Sequence, residues 1–152
     1  MAKVKSTRDF DGSVYDAEAL WYDLDRWPGF VDGFHHVDKQ EGEWPHPGSV
    51  IIWHSFPGGR GRVLERVTSY APRDGQTLEI EDEDVTGTRR VQFAALPDGV
   101  RIELSVDYRL KDQSVGKRLA DLFFIRRAFR DSLRRELTRF GAELESDRAL
   151  HR

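Results

Sequence analysis

Groups suited to binding or proton transfer alternate along one predicted strand, Arg62–Ala71. The alternate positions carry Leu64, Arg66, Thr68 and Tyr70. Side chains two residues apart on a strand share a face. If that face is the inner one, the Arg66 guanidinium must bind an acidic ligand or pair with a carboxylate, because an unpaired charge in a dry cavity is costly. The pattern leaves the opposite register equally open, with Arg66 in solvent. The core positions would then be Val63, Val67 and Ala71.

His54, in the middle of the predicted strand Ser49–Phe56, is a candidate acid–base group or donor to a carbonyl oxygen. His35, His36 and His46 lie nearby in the sequence. Adjacent residues on a strand point to opposite faces, and neither an HxH nor an HExxH spacing is present, so no metal site is predicted. The chain has no cysteine and no GxSxG elbow, which leaves a thiol or serine nucleophile without support. No cofactor is predicted.

The composition is typical of one soluble domain covering residues 1–152. Hydrophobic residues make up 38% of the chain and charged residues 34%, with a formal net charge of −3. That charge is too small to indicate a nucleic-acid partner. No apolar run approaches the roughly 18 residues of a membrane span, and the N-terminus lacks the apolar core of a signal peptide, so a cytoplasmic location is expected. Both a monomer and a homodimer are compatible with the sequence.

The longest predicted element is a helix over Gly116–Leu144. Its apolar side chains recur at spacings of three and four residues, which is the period of one helical face. They are Leu122, Ile125, Phe129, Leu133, Leu137, Phe140 and Leu144. Each large side chain gains about 1.5–3 kcal/mol when it is fully buried, so the helix requires a broad apolar surface opposite it. The positions between them are rich in arginine.

The residues before this helix predict mainly β-strands separated by glycine- and proline-containing turns. The predicted strands are Val4–Phe10, Gly33–Gly42, Ser49–Phe56, Arg62–Ala71, Gln76–Asp84, Arg89–Leu96 and Val100–Leu110. A short helix with Asp16 as its N-cap follows the first strand, and a helical turn is predicted near Phe30–Gly33. Consecutive hairpins indicate an antiparallel sheet. In its last hairpin the predicted inward positions are Val91, Phe93, Ala95, Ile102, Leu104, Val106, Tyr108 and Leu110.

The order of these elements resembles the helix-grip superfamily, which includes START-like proteins, the Bet v 1 type and the bacterial polyketide cyclase/dehydrase group. The resemblance lies in Ala17–Trp21, Asp25–Phe30, Arg62–Pro72 and the long final helix. It implies an α+β helix-grip fold, in which a curved antiparallel sheet wraps around a long C-terminal helix and two short helices follow the first strand. A ligand cavity is then expected between the sheet and the helix.

Aromatase/cyclase members of that superfamily direct an arginine, a hydroxyl residue and an aromatic residue of the central strand into the cavity, facing a tyrosine. The resemblance maps these positions onto Tyr70, Thr68, Arg66 and Phe34, respectively. Ring closure requires a cation or hydrogen-bond donor at the developing enolate oxygen and a group that moves protons. Tyr70 can donate a hydrogen bond but is no source of charge near neutral pH. The resemblance favours an inward Arg66, while these replacements depart from the ring-forming pattern.

Three functions follow as hypotheses. The leading one is a carrier- or sensor-type protein that binds a small hydrophobic or amphipathic ligand, such as a lipid, in the cavity. Its predicted lining is Phe34, Leu64, Arg66, Thr68, Tyr70, Phe93, Tyr108, Phe123 and Phe129. The second is a polyketide aromatase/cyclase- or dehydratase-like enzyme, with the candidate catalytic residues Arg66, Thr68, Tyr70 and His54. The third is an interaction protein with a vestigial cavity, whose partner meets the arginine-rich face of the final helix.

Overall fold

The computed structural model describes residues 2–111 and 118–151, except for the side chains of residues 118–122. Within those residues, seven strands and three α-helices follow the predicted order. The strands are β1 (Ala2–Asp11), β2 (Phe34–Glu41), β3 (Val50–Ser55), β4 (Arg62–Ala71), β5 (Gly75–Glu81), β6 (Val85–Leu96) and β7 (Gly99–Leu110). The helices are α1 (Val14–Tyr22), α2 (Trp27–Phe30) and α3 (Arg118–Leu150), with a 3-10 turn at Leu24–Arg26 before α2.

The seven described strands form one antiparallel sheet in the order β1-β7-β6-β5-β4-β3-β2. β1 pairs with β7, with Val4 opposite Val106, and β2 is the other edge. β6 begins at Val85 rather than at Arg89, so the hairpin that it forms with β7 is longer than predicted. The buried positions of β7 alternate as expected, and they include Val100, Ile102, Leu104, Val106 and Tyr108. Ala95, predicted to face inward, is exposed near the tip of this hairpin.

Two short helices join β1 to β2. Ser13 caps α1, and its hydroxyl accepts the backbone N–H of Asp16 at 3.1 Å. The prediction of Asp16 as the cap is wrong because the helix already begins at Val14. Asp16 lies in the first turn instead, where its negative charge interacts favourably with the helix dipole. The Trp27 indole N–H donates to the carbonyl of Trp21 at 3.0 Å and ties α2 to α1.

α3 covers the inner face of the sheet with its predicted apolar stripe. The buried members are Leu133, Leu137, Phe140 and Leu144. Ile125 and Phe129 are half-buried, and Leu122 lies outside the described side chains. The helix continues to Leu150, past its predicted end at Leu144. In the part of the chain that the structure describes, no helix is long and apolar enough to cross a membrane.

The C-terminal half of α3 is fixed to the short helices. Phe140 packs edge-on against Trp21, with ring centroids 5.3 Å apart. Arg26 donates to Glu143 at 2.7 Å and to both carboxylate oxygens of Asp147 at 2.9 and 3.0 Å. Aromatic packing and a two-carboxylate clamp therefore hold this half of the helix in one position.

A buried ion triad joins the sheet to α3. Arg89 on β6 donates through Nη1 to Glu65 on β4 at 3.4 Å and through Nη2 to Glu136 on α3. All three side chains are buried. Glu136 also accepts the backbone N–H of Asp32 at 3.2 Å. Burial raises the pKa of Glu136, and the second carboxylate that shares the Arg89 guanidinium, Glu65, acts in the same direction.

The interior beside this triad is filled. The void that Trp21, Trp44, Glu65, Gln76 and Arg89 help to enclose measures about 10 Å³, which is room for one water molecule at most. The arrangement confirms the α+β helix-grip fold, with a sheet wrapped around the C-terminal helix. The expected space between them is nevertheless closed at its centre.

Replacing Arg89 by methionine is expected to lower the free energy of unfolding by about 3–5 kcal/mol, because two buried carboxylates lose the cation between them. Urea denaturation followed by circular dichroism measures the change. Arg101→Met is the matched control, since Arg101 binds Asp9 on the exposed surface, and its denaturation midpoint should stay close to that of the parent protein. A comparable midpoint for both variants would show that the triad does not stabilise the fold.

The raised pKa of Glu136 predicts a pH effect of defined sign. A carboxyl group whose pKa is higher in the folded state stabilises the fold at low pH and loses that contribution as the pH rises through the folded pKa. Between about pH 5 and about pH 8, the parent protein should therefore lose stability relative to Glu136→Gln, whose amide no longer ionises. Chemical denaturation at both pH values measures this difference. The exposed Glu43→Gln serves as the control and should follow the parent at both.

Candidate functional site

A pocket of about 390 Å³ opens between α3 and three loops at one end of the sheet. Asp32 and the following glycine reach it from the α2–β2 turn, Arg60 from the β3–β4 loop, and Asp82 from the β5–β6 turn. Phe129 contributes the largest apolar side chain from α3. The volume falls in the range of about 300–1,000 Å³ that is common for small-molecule sites.

The β3–β4 loop presents Arg60 to this pocket. Gly58 and Gly61 have φ angles of 85° and 75°, a left-handed conformation that glycine adopts without strain. The Ser55 hydroxyl accepts the backbone N–H of Gly61 at 2.8 Å and closes the loop. Arg60 Nε then donates to the Asp82 carboxylate at 2.9 Å, which links the two loops across the pocket wall.

Asp82 is itself fixed by the turn that follows β5. Its second carboxylate oxygen accepts the backbone N–H groups of Asp84 and Val85 at 2.9 and 3.0 Å. The carboxylate thus binds two backbone donors and only one nitrogen of Arg60. Nη2 of the same guanidinium is buried and has no hydrogen-bond partner among the described residues.

Three buried polar groups beside the pocket have no hydrogen-bond partner among the described residues: Arg60 Nη2, Trp53 Nε1 and the Tyr108 hydroxyl. The Arg60 guanidinium lies 5.8 Å from the centroid of the Trp53 ring and 5.5 Å from that of Phe129. The Phe129 and Tyr108 rings are 4.9 Å apart. Because a buried donor without a partner costs free energy, three neighbouring ones indicate a place for a ligand oxygen. Burial also raises the pKa of Tyr108, which keeps its hydroxyl protonated and able to donate.

The opposite wall of the pocket carries a carboxylate, Asp32, whose charge is paired with an arginine. Asp32 accepts hydrogen bonds from Ser132 at 2.8 Å and from Arg135 at 2.9 and 3.0 Å. Burial by itself raises the pKa of Asp32, but the hydrogen bonds from Arg135 and Ser132 outweigh burial and hold the pKa below its ordinary value. Asp32 therefore stays ionised and is poorly suited to act as a general base near neutral pH.

Of the two registers that the sequence leaves open for β4, the structure has the one with Arg66 in solvent, against the orientation that the family resemblance favours. The buried positions of β4 are Val63, Glu65 and Val67. Leu64, Arg66 and Thr68 consequently lie on the outer face, where Arg66 faces Glu79 at 3.7 Å and Thr68 donates its hydroxyl to the Thr77 carbonyl at 3.2 Å. The register follows from packing, because the two valines fill the inner pleat and the carboxylate between them meets a buried guanidinium from another strand.

Tyr70 returns to the inner side because the pairing of β4 with β5 shifts between Val67 and Ser69. Its ring packs against Tyr22, with centroids 5.4 Å apart. Phe93 contacts the same ring at 6.1 Å. These two predicted lining residues therefore both pack on Tyr22, away from the pocket.

The other predicted site residues are divided between the pocket, the core and the surface. Phe129 lines the pocket, and Tyr108 lies against it. Phe34 is buried in the core, whereas Phe123 is 66% exposed. His54 lies on the outer face of the sheet. The candidate catalytic set is thus not brought together, and the ligand-binding roles assigned to individual residues remain predictions.

Sequence reasoning misses the pair that shapes this pocket. The glycines around Arg60 mark a loop, but the partner of Arg60 is Asp82, which lies 22 residues further along the chain on a different turn. No local pattern joins two charged residues across two strands. Trp53 is visible only as a large residue in a strand, and its unpaired indole N–H appears only in the folded structure.

Comparison with known proteins identifies the family. The chain belongs to the family described as polyketide cyclase / dehydrase and lipid transport, whose sequence pattern matches residues 1–145. No curated protein matches the sequence.

Solved structures agree on the fold. The di-domain ARO/CYC protein StfQ from the steffimycin biosynthetic pathway superposes with a TM-score of 0.75 at 16% identity, over 97% of this chain and 51% of StfQ. A protein from Thermus thermophilus gives a TM-score of 0.74 at 15% identity, over 96% and 99% of the two chains. A START superfamily protein from Mycobacterium smegmatis gives 0.72 at 12% identity, over 95% and 97%. At these identities the likeness shows the fold alone.

Tyr108→Phe is expected to stabilise the ligand-free protein by about 1 kcal/mol, because it removes a buried hydroxyl without a partner. Urea denaturation measures the free energy of unfolding. Tyr15→Phe is the matched control, since Tyr15 is 65% exposed and its hydroxyl can bind water. A clear loss of stability in Tyr108→Phe but not in Tyr15→Phe would mean that the Tyr108 hydroxyl already has a hydrogen-bond partner in the ligand-free protein.

Proposed function

We propose that the protein binds one small, mostly apolar ligand with an oxygen-bearing end in the pocket between α3 and the β3–β4 and β5–β6 loops. In this carrier- or sensor-type role the apolar part contacts Phe129 and Ile125, and the polar end reaches Arg60. The family description, which includes lipid transport, supports a ligand of this class. The pocket is accessible from solvent without unfolding any described element.

The observation that carries the proposal is the group of unpaired donors around Phe129. A ligand carboxylate or carbonyl would accept from Arg60 Nη2, a buried donor without a partner among the described residues, once a side-chain rotation turns that nitrogen toward the pocket. Hydrogen bonds to a charged group contribute about 1.5–3 kcal/mol each, roughly twice as much as those between neutral groups. The unpaired Trp53 and Tyr108 donors lie deeper, behind Arg60 and Phe129. A displacement of Phe129 would bring the ligand oxygen to them as well.

The second candidate is a polyketide aromatase/cyclase- or dehydratase-like enzyme. The structural likeness to StfQ supports it, as do the Arg60 and Tyr108 donors, which are suited to an enolate oxygen. Cyclisation also requires a group that moves protons. Arg66 and Thr68 point away from the interior, and Asp32 is held ionised by its partners. The site as described therefore favours binding over ring closure.

The filled centre of the fold supports the third candidate, an interaction protein with a vestigial cavity. Such a protein would carry no ligand in the pocket at all. Native mass spectrometry of the purified protein separates this candidate from a binding protein, because a bound small molecule adds to the mass of the folded chain.

The decisive experiment is a thermal-shift and calorimetric screen of matched ligand pairs, such as a medium-chain fatty acid and its methyl ester. A ligand that binds only the folded state raises the melting temperature. Arg60→Met should weaken binding of the acid by about 10–100-fold, the loss of one charged hydrogen bond, and leave the ester nearly unchanged. Phe129→Trp should weaken both ligands because it fills the apolar wall.

Arg62→Met is the matched control for charge and length, because Arg62 is exposed at the start of β4, two residues from Arg60. It should bind both ligands like the parent protein. If Arg60→Met and Arg62→Met weakened binding of the acid equally, the effect would come from the overall charge of the protein and not from a hydrogen bond of Arg60. If no compound stabilises the parent protein, the pocket is not a ligand site.

A further inference from the structure

Two histidines and an aspartate meet on the outer face of the sheet, away from the pocket. His36 and Asp38 lie two positions apart on β2, and His54 lies on the neighbouring β3. The pairing of the strands places His36 directly opposite His54. Phe34 and Val37 pack against the core. The pairing of β2 with β3 is irregular between Phe34 and His36 and again between Val37 and Lys39. The two imidazoles and the carboxylate therefore lie together on the outer face.

The three side chains are close enough to share one ion. One ligand atom from each of them lies within 4.8 Å of the other two. The His36 and His54 rings are stacked, with centroids 5.0 Å apart and planes at 9°, and His54 Nε2 is 3.7 Å from an Asp38 carboxylate oxygen. His36 and Asp38 are exposed and His54 is half-buried, so binding requires rotations of these side chains that bring their ligand atoms to the metal–nitrogen distance of about 2.0–2.1 Å.

His35 supports the orientation of the neighbouring ligand. Its Nδ1 lies 2.6 Å from His36 Nδ1, so one ring donates to the other and the Nε2 of His36 remains open to a ligand. The His35 ring in turn packs edge-on against Phe56, with centroids 4.9 Å apart. A metal-binding histidine is commonly oriented by a hydrogen bond to its other ring nitrogen. His35, the histidine adjacent to His36 in the sequence, therefore orients the His36 ring.

We propose that His36, Asp38 and His54 bind a divalent transition-metal ion of the zinc type on the outer face of the sheet. Two imidazole nitrogens and one carboxylate oxygen suit Zn²⁺, Cu²⁺, Ni²⁺ or Co²⁺, whereas Mg²⁺ and Ca²⁺ prefer oxygen ligands alone. Solvent supplies the remaining coordination positions. The ion links β2, an edge strand, to β3, and the site is independent of the ligand pocket.

The test uses protein without a histidine tag, stripped of metal by a chelator and titrated with Zn²⁺ by isothermal calorimetry. We expect saturable binding of one ion per chain, and no comparable heat with Mg²⁺. His36→Gln and His54→Gln should each weaken Zn²⁺ binding at least about tenfold, and the double variant should abolish it. Asp38→Asn should weaken it less, since an amide oxygen is a poorer ligand than a carboxylate.

His151→Gln is the matched control, because it removes an exposed histidine at the far end of α3 and should bind Zn²⁺ like the parent protein. Circular dichroism of each variant confirms that the fold is retained, as expected for changes at solvent-facing positions. Zinc binding by the parent that the double variant retains, or no saturable binding by the parent, would overturn the proposal. Neither result bears on the ligand pocket, whose test uses different variants.

Discussion

The buried triad of Glu65, Arg89 and Glu136 is the constraint on which the rest of the structure depends. One guanidinium serves a carboxylate from the sheet and another from the C-terminal helix, and Glu136 also holds the turn after α2 through the N–H of Asp32. Because an unpaired charge at this depth is costly, the three partners fix the distance between sheet and helix. The same contacts occupy the centre of the fold, and the pocket lies at its open end.

The periodic parts of the fold are predictable because each side-chain position reports its own environment. The stripe from Ile125 to Leu144 has helical spacing, and the alternation along β7 is sufficient by itself to identify the inner face of that strand. Hairpin turns rich in glycine and proline predict the order of the strands from β2 to β7, whereas no turn predicts the pairing of β1 with β7. Helix ends are less certain, since Ser13 and Asp16 are both good caps and only the path of the chain selects one.

The site is less predictable because it depends on contacts between distant residues. The two faces of β4 have similar polarity in the sequence. Which face is buried depends on Arg89, because its guanidinium pairs with Glu65 in the interior and Arg66 is left in solvent. The resemblance to aromatase/cyclases fails at Arg66 and Thr68 for the same reason, since both side chains lie on the outer face. Arg60 and Asp82 meet only after two turns have formed. The outer histidines likewise depend on strand register.

The attachment of α3 is strongly uneven along its length. Beyond Leu133 it is held by buried apolar side chains, the central ion cluster and the Arg26 clamp, whereas Ile125 and Phe129 are only half-buried. Buried contacts thus hold the helix less firmly at Ile125 and Phe129 than beyond Leu133. A local displacement of Ile125 and Phe129 would widen the pocket without disturbing the buried contacts beyond Leu133. For the proposed ligand, exchange would then require only a local opening, so that its rate would differ between variants of equal global stability.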